Sequence, residues 1–135
     1  MAYVDGFVLV VPTKNLAAYK RMAAKAGKIW IEHGALEYRE CKGEDVASKI
    51  GNSFPDITLA KRSDTVVFAY VRYASRAHRD EVVAKVMADA RLKGGDAKSM
   101  PFDPKRMSYG GFETMVEFTA APQRAPAKKS KRAAR

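Results

Sequence analysis

Residues 100–113 read MPFDPKRMSYGGFE and bring Lys105, Arg106 and Tyr109 together behind two prolines and ahead of two glycines. These side-chain types suit the capture of a small anion. Arginine offers a planar fork that matches a carboxylate, lysine a compact point charge, and tyrosine a hydroxyl donor. A second reading stays open beside this one. Pro101 and Pro104 shape a turn, Asp103 caps it, and Lys105 and Arg106 face solvent or form ion pairs. Gly110 and Gly111 then make a bulge or admit a close backbone approach. The spacing matches neither a P-loop nor a dinucleotide fingerprint, because the strand–turn–helix order is missing.

Four further residues carry possible chemistry. His33 lies where a helix should end, beside Gly34. There it serves either as a general base or as a structural cation at a helix C-terminus. Arg39, flanked by Glu37 and Glu40, belongs to a strand whose charges protect an edge or line a polar pocket. Arg72 interrupts an apolar strand and needs a carboxylate partner, with Glu113 or Glu117 expected. Cys41 follows a polar run on an edge strand, and nothing in the sequence activates it as a nucleophile. The tyrosines at 3, 19, 38, 70, 73 and 109 either line a small cavity or form core. His33, Arg39, Arg72, Arg106 and Tyr109 are therefore the ligand-binding candidates, with no catalytic residue assigned.

The elements that must position these groups follow from hydrophobic periodicity. Residues 3–11, YVDGFVLVV, form a strand that stops at Pro12. Thr13 or Asn15 is placed to cap a helix whose apolar face is Leu16, Tyr19, Ala23, Ala26, Trp30 and His33. Gly34 supplies its stop, and Gly27 marks a kink or a close packing contact. Residues 35–46 alternate, setting Leu36, Tyr38 and Glu40 against Glu37, Arg39 and Cys41. Residues 47–64 read as a long connection with a helical turn. Residues 65–74, TVVFAYVRYA, form a second strong strand. Ser75 caps a helix with Val82, Val83, Val86, Met87 and Ala90 on one stripe, ended by Gly94 and Gly95. The last strand, MSYGGFETMVEF, puts Phe112, Thr114, Val116 and Phe118 on one face.

The order β-α-β-β-α-β implies an α+β fold of ferredoxin-like type, a four-stranded antiparallel sheet with the first and third strands central. Two helices cover one face of that sheet. The other face carries apolar side chains that should not remain in water, so a homodimer packed sheet on sheet is expected.

Composition bounds the function class. The chain has 135 residues, one cysteine and a net charge of +10. The charge is uneven. Residues 120–135 hold Arg124, Lys128, Lys129, Lys131, Arg132 and Arg135 with no acid, so the body at 1–119 is only mildly basic. This proline-punctuated tail is expected to be disordered and to attract polyanions such as nucleic acid, or simply to solubilise the chain. It lacks the apolar anchors of a membrane segment. His33, His78 and Cys41 lack zinc-ligand spacing, so neither a metal nor a resident cofactor is expected. The N-terminus lacks the pattern of a signal peptide, and no apolar run is long enough to span a bilayer, which suits a cytoplasmic protein.

The runs RDEVVAKVMADARL, SFPD, DTVVFAYVRYASRAHRD and MPFDPKRMSYGGFETMVE together resemble the YbaA-like family of small bacterial proteins of unknown function. The resemblance spans about residues 3–119. That family is similar to the dimeric α/β-barrel group, which implies a homodimer and a cavity between helices and sheet. The family itself carries no assigned activity, and the expected ligand of this chain is a small anionic or aromatic metabolite. The same group includes cofactor-free monooxygenases, which leaves such chemistry as an alternative, beside a nucleic-acid role for the tail.

Overall fold

The computed structural model describes residues 1–93 and 99–121. Strand β1 (Tyr3–Pro12) is followed by helix α1 (Leu16–Glu32), strand β2 (Glu37–Lys42), short helix α2 (Phe54–Thr58), strand β3 (Asp64–Tyr73), helix α3 (Arg76–Met87) and strand β4 (Met107–Glu113). The four strands form one antiparallel sheet in the order β2-β3-β1-β4. The first and third strands are central, as their apolar composition requires: an inner strand has both neighbours to satisfy its backbone and both faces to bury.

Alternation along the strands defines two faces. Asp5, Phe7, Leu9 and Val11 of β1 and Val67, Ala69, Val71 and Tyr73 of β3 point toward α1 and α3. Two buried clusters form there. One joins Leu9, Val11 and Val67 to Tyr19 and Ala23. The other joins Val71 and Tyr73 to Ala35, Val82 and Val86. The opposite face presents Val4, Val8, Phe68, Tyr70 and Phe112. Phe68 is 47% and Phe112 61% exposed. That face is not bare throughout, since Val10 and Val66, paired across β1 and β3, are buried and α2 packs on β3.

Several local expectations hold. Ser75 caps α3 by accepting from the His78 amide. Gly34 adopts φ +116° after α1, a conformation that favours glycine. The helical turn in the 47–64 connection is α2, capped by Ser53. Others need correction. Neither Thr13 nor Asn15 caps α1 through its side chain. A 3-10 turn precedes the helix, Thr13 bonds Thr65, and Asn15 donates to the Pro101 carbonyl. Helix α3 ends at Met87, because Asp89 caps a separate 3-10 turn at Ala90–Leu92. The stop assigned to Gly94 and Gly95 lies outside the described residues.

Strand β4 ends at Glu113, not Phe118. Its partner β1 begins at Tyr3, so the Thr114 amide meets the Ala2 carbonyl and the ladder has nothing further to pair with. Beyond it Met115, Val116 and Phe118 are exposed. Gly110 and Gly111 form no bulge: the register to Gly6 and Asp5 is unbroken. Gly111 instead leaves room for Tyr3, whose ring atoms would lie within 3.0 Å of an added Cβ.

Candidate functional site

The five ligand-binding candidates fall at four separate places. His33 is the C-cap residue of α1, and its Nε2 lies 2.8 Å from Asp89 Oδ2. Arg91 donates to the same Asp89 and pairs with Glu32. These donors hold the Asp89 carboxyl well below the usual range, Arg91 first and His33 second. The helix end is thereby tied to the turn after α3.

Arg39 and Arg72 lie together, on the face away from α1 and α3. Glu37 Oε1 accepts from Arg72 Nε at 3.2 Å, and Oε2 accepts from Arg39 Nη2 at 3.2 Å and from Tyr70 Oη at 2.8 Å. The expected partners of Arg72, Glu113 and Glu117, are therefore replaced by Glu37. The reason is register: Glu37 sits opposite Arg72 on β2, whereas β4 borders β1. The Tyr70 hydroxyl contributes most to lowering the Glu37 carboxyl, followed by its arginine partners.

Arg106 is spent on structure. Its guanidinium lies 3.4 Å from Asp64 Oδ2 and donates to the Leu59 carbonyl at 3.0 Å, tying the 3-10 turn Pro104–Arg106 to the connection before β3. Asp103 caps that turn through the Lys105 amide. Tyr109 belongs to a fourth cluster, on the helix side of the sheet. Its hydroxyl accepts from Arg79 Nη1 at 2.8 Å and donates to Asp5 Oδ1 at 3.2 Å. The tail residues Arg124, Lys128, Lys129, Lys131, Arg132 and Arg135 lie outside the described residues.

Asp5 and Arg79 were not among the candidates, yet they anchor a buried network. Asp5 is 2% exposed and accepts from Arg79 Nη1 at 2.6 Å and from Tyr73 Oη at 3.0 Å. Trp30 donates to Tyr73 in turn, and the Arg79 guanidinium lies 5.0 Å from the Tyr3 ring centre. Burial, chiefly, raises the Tyr73 phenol above its ordinary range. A signal for Asp5 was present in the sequence. Alternation places it on the face of Phe7, Leu9 and Val11, where a carboxylate demands a partner. The network clamps α3 to β1 and β4.

One open space, of about 480 Å³, is bordered by Pro12, Asn15 and the turn from Met100 to Lys105, and another lies between α1 and β2. A groove of about 720 Å³ runs along Ala23, Ala24, Gly27 and Ile31 of α1 and Tyr38, Glu40 and Lys42 of β2. A smaller, more enclosed chamber of about 130 Å³ lies between α1 and the sheet, lined by Phe7, Met22, Trp30, Phe102 and Met107 among others. Tyr19, Tyr38 and Glu40 border both spaces. Tyr19 Oη donates to Glu40 Oε1 and Tyr38 Oη to Glu40 Oε2, each at 2.6 Å. Burial and then the carboxylate push both phenols well above their usual range. Each hydroxyl spends its only hydrogen on Glu40 and keeps lone pairs free, so the cluster offers acceptors to a visiting donor group.

The tyrosine set hinted at this cavity, but Glu40 was legible only as one charge among several on β2. Its pairing needs α1 and β2 side by side. Gly27 makes that approach possible: an added Cβ would lie 2.6 Å from Tyr38 Cδ1. Among the described residues no three His, Cys, Asp or Glu side chains converge as a metal site, and no helix is long and apolar enough to cross a membrane.

Comparison with known proteins places the chain in context. The uncharacterised protein YbaA of Escherichia coli K12 is 44% identical over 117 residues, covering 87% of this chain and 99% of that protein. YbaA of Shigella flexneri matches to the same extent. A solved structure of a putative amidohydrolase/peptidase from Burkholderia cenocepacia superposes with a TM-score of 0.30 at 12% identity. The superposition covers 84% of this chain but 27% of that one, too weak a likeness to bear on fold or function. The sequence profile described as a protein of unknown function, DUF1428, matches residues 2–104, and with the YbaA relatives it establishes that this chain belongs to that family.

Proposed function

We propose that the protein binds a small metabolite between α1 and the sheet, as a ferredoxin-like subunit of a homodimer. One observation carries the binding site. The Glu40 carboxylate, held by Tyr19 and Tyr38, stands where an apolar groove meets an enclosed chamber. Ligand sites combine that kind of apolar wall with a few fixed polar groups, in volumes of roughly 300–1,000 Å³. The groove lies in that range, and the chamber has room for a small substituent. A rigid carboxylate between two phenols orients a hydroxyl or amine donor, because its geometry is already set before the ligand arrives.

The fold assignment draws support from the strand order β2-β3-β1-β4 with α1 and α3 on one face. The dimer draws support from Val4, Val8, Phe68 and Phe112 on the other, where burial against a second sheet removes apolar surface from water.

A metabolite library screened by thermal shift and by amide chemical shifts tests the site. Binders should move the amides of Gly27, Tyr38 and Glu40, and Glu40→Gln should weaken them. A library with no binder, or binders that ignore these amides and the Glu40 variant, would overturn the reading.

A further inference from the structure

The outer groove has a charge pattern that the inner chamber lacks. Its floor is apolar, formed by Ala23, Ala24, Gly27, Ile31 and Val67. Three ammonium groups stand around it: Lys20 and Lys28 from α1, and Lys42 from β2. Among the described residues no carboxylate pairs with any of the three. The ion pairs among the described residues are made by arginines and His33, not by lysines, and what sets these three apart is that they gather around one apolar floor. Among the described residues Glu40 is the one carboxylate lining the groove, and each of its oxygens accepts from a tyrosine hydroxyl. The rim is therefore positive, with its charge uncommitted.

Packing arranges those charges along the groove. Tyr38 rests on Gly27, and Glu40 reaches Tyr19, so β2 runs opposite to α1. Lys42 lies two residues beyond Glu40 on the same face of β2 and so approaches the N-terminal half of α1, where Lys20 follows Tyr19. Lys20 and Lys42 thus stand toward one end of the groove, and the apolar floor extends away from them past Ala24 to Ile31.

We infer that the groove takes an amphipathic organic acid, with its carboxylate at Lys20 and Lys42 and its apolar body along Ala24, Gly27 and Ile31. This rests on the metabolite-binding reading above and names the ligand class of that same site. Lysine ammonium groups act as point charges that attract a carboxylate without a demanding geometry. The apolar body supplies most of the affinity and the lysines select its sign. A cationic amphiphile meets three like charges. The chain's own tail, with Arg124, Lys128 and Lys129, carries the wrong charge to occupy the groove.

The test uses the full chain at low salt with three eight-carbon probes, octanoate, 1-octanol and octyltrimethylammonium, read by amide chemical shifts. Octanoate should move the amides of Ala24, Gly27, Tyr38 and Val67 saturably and bind more weakly as salt rises. The alcohol should bind about three- to tenfold more weakly, and so should octanoate to the Lys20→Gln/Lys42→Gln protein. Ala24→Trp fills the groove from an exposed position and should abolish binding in a folded protein. If the alcohol or the cation binds there as tightly as octanoate, the groove is a ligand site but the acid class is wrong. If all three probes leave the groove amides unmoved while metabolites from the wider library move them, this inference falls alone. If neither set moves them, the metabolite reading falls with it. If Ala24→Trp changes the oligomeric state instead, the groove is covered by a second copy and the inference is overturned.

Discussion

Gly27 of α1 lies flat against the ring of Tyr38, so close that an added Cβ would stand 2.6 Å from Cδ1 and 2.8 Å from Cε1. The ring cannot swing away cheaply, because its hydroxyl is bound to Glu40 and it packs on Trp30. Gly27→Ala should therefore destabilise the fold despite alanine's better helix propensity. Overpacking costs about 1–3 kcal/mol and the propensity gain returns up to about 1 kcal/mol. A net loss of about 1–2 kcal/mol in urea unfolding is expected, and Tyr38→Ala in the same chain should relieve part of it. An increase in stability would show that the contact is slack.

Asp5→Ala should cost more. It removes the more buried of the two carboxylates that hold Arg79, leaving its Nε on the exposed Asp80, and it leaves the Tyr73 hydroxyl without its acceptor. Breaking a buried ion pair from one side costs about 3–5 kcal/mol, and the surviving Asp80 contact puts this loss toward the lower end. The double variant Asp5→Ala/Arg79→Met should recover a substantial share of the loss, since the charge then left without its partner, Asp80, is exposed to solvent. Chemical denaturation of the three proteins measures this coupling.

Alkaline titration should separate the tyrosines. The neutral phenols of Tyr19 and Tyr38 are favoured in the folded protein by burial and by Glu40. Their contribution to stability is full below the ordinary phenol value near 10 and is lost as pH rises above it toward the raised folded values. Ultraviolet titration should thus show both phenols resisting ionisation until the protein unfolds. Glu40→Gln should bring that ionisation to lower pH.

Acid should act through the other sign. The Asp89 carboxyl is held below its usual range by Arg91 and His33. Its contribution is full above the ordinary carboxylate value near 4 and is lost as pH falls from there toward the depressed folded value. Asp89→Asn should flatten the acid limb of a thermal-melting profile and leave the melting temperature at neutral pH lower. An unchanged acid limb would mean that this carboxylate is not coupled to folding.

Phe68 and Phe112 should report the assembly. Phe68→Glu/Phe112→Glu places charge on the open sheet face while leaving the helix-side core intact. Sedimentation should show a dimer for the native chain and a monomer for the variant. Removal of residues 120–135, by contrast, should leave the dimer and the groove unaffected and abolish salt-dependent retention on single-stranded nucleic acid. Retention that survives the deletion would locate the charge in the body.

The inner strands YVDGFVLVV and TVVFAYVRYA were legible because their apolar patterns are strong, and Ser75 and Gly34 announce their helix ends, whereas the ends of α3 and β4 were overrun because pairing and a separate cap decide them. The site was less legible. His33, Arg39, Arg72, Arg106 and Tyr109 have the right chemistry, but each finds a structural partner, and which partner depends on register and helix docking. Arg72 illustrates the difficulty. Glu113 or Glu117 was the expected partner, and only the placing of β2 beside β3 chooses Glu37.

Local sequence thus determined the element order, the two faces of each strand, the central position of β1 and β3, and the concentration of charge at the C-terminal end. These depend on short-range sterics and on alternation, which a single chain segment expresses by itself. Tertiary structure alone decided that Glu40 faces Tyr19 and Tyr38, that Asp5 meets Arg79 across 74 residues, and that three lysines share one apolar groove. Such contacts join side chains whose separation in sequence carries no trace of their distance in space, and packing of α1 against β2 sets them.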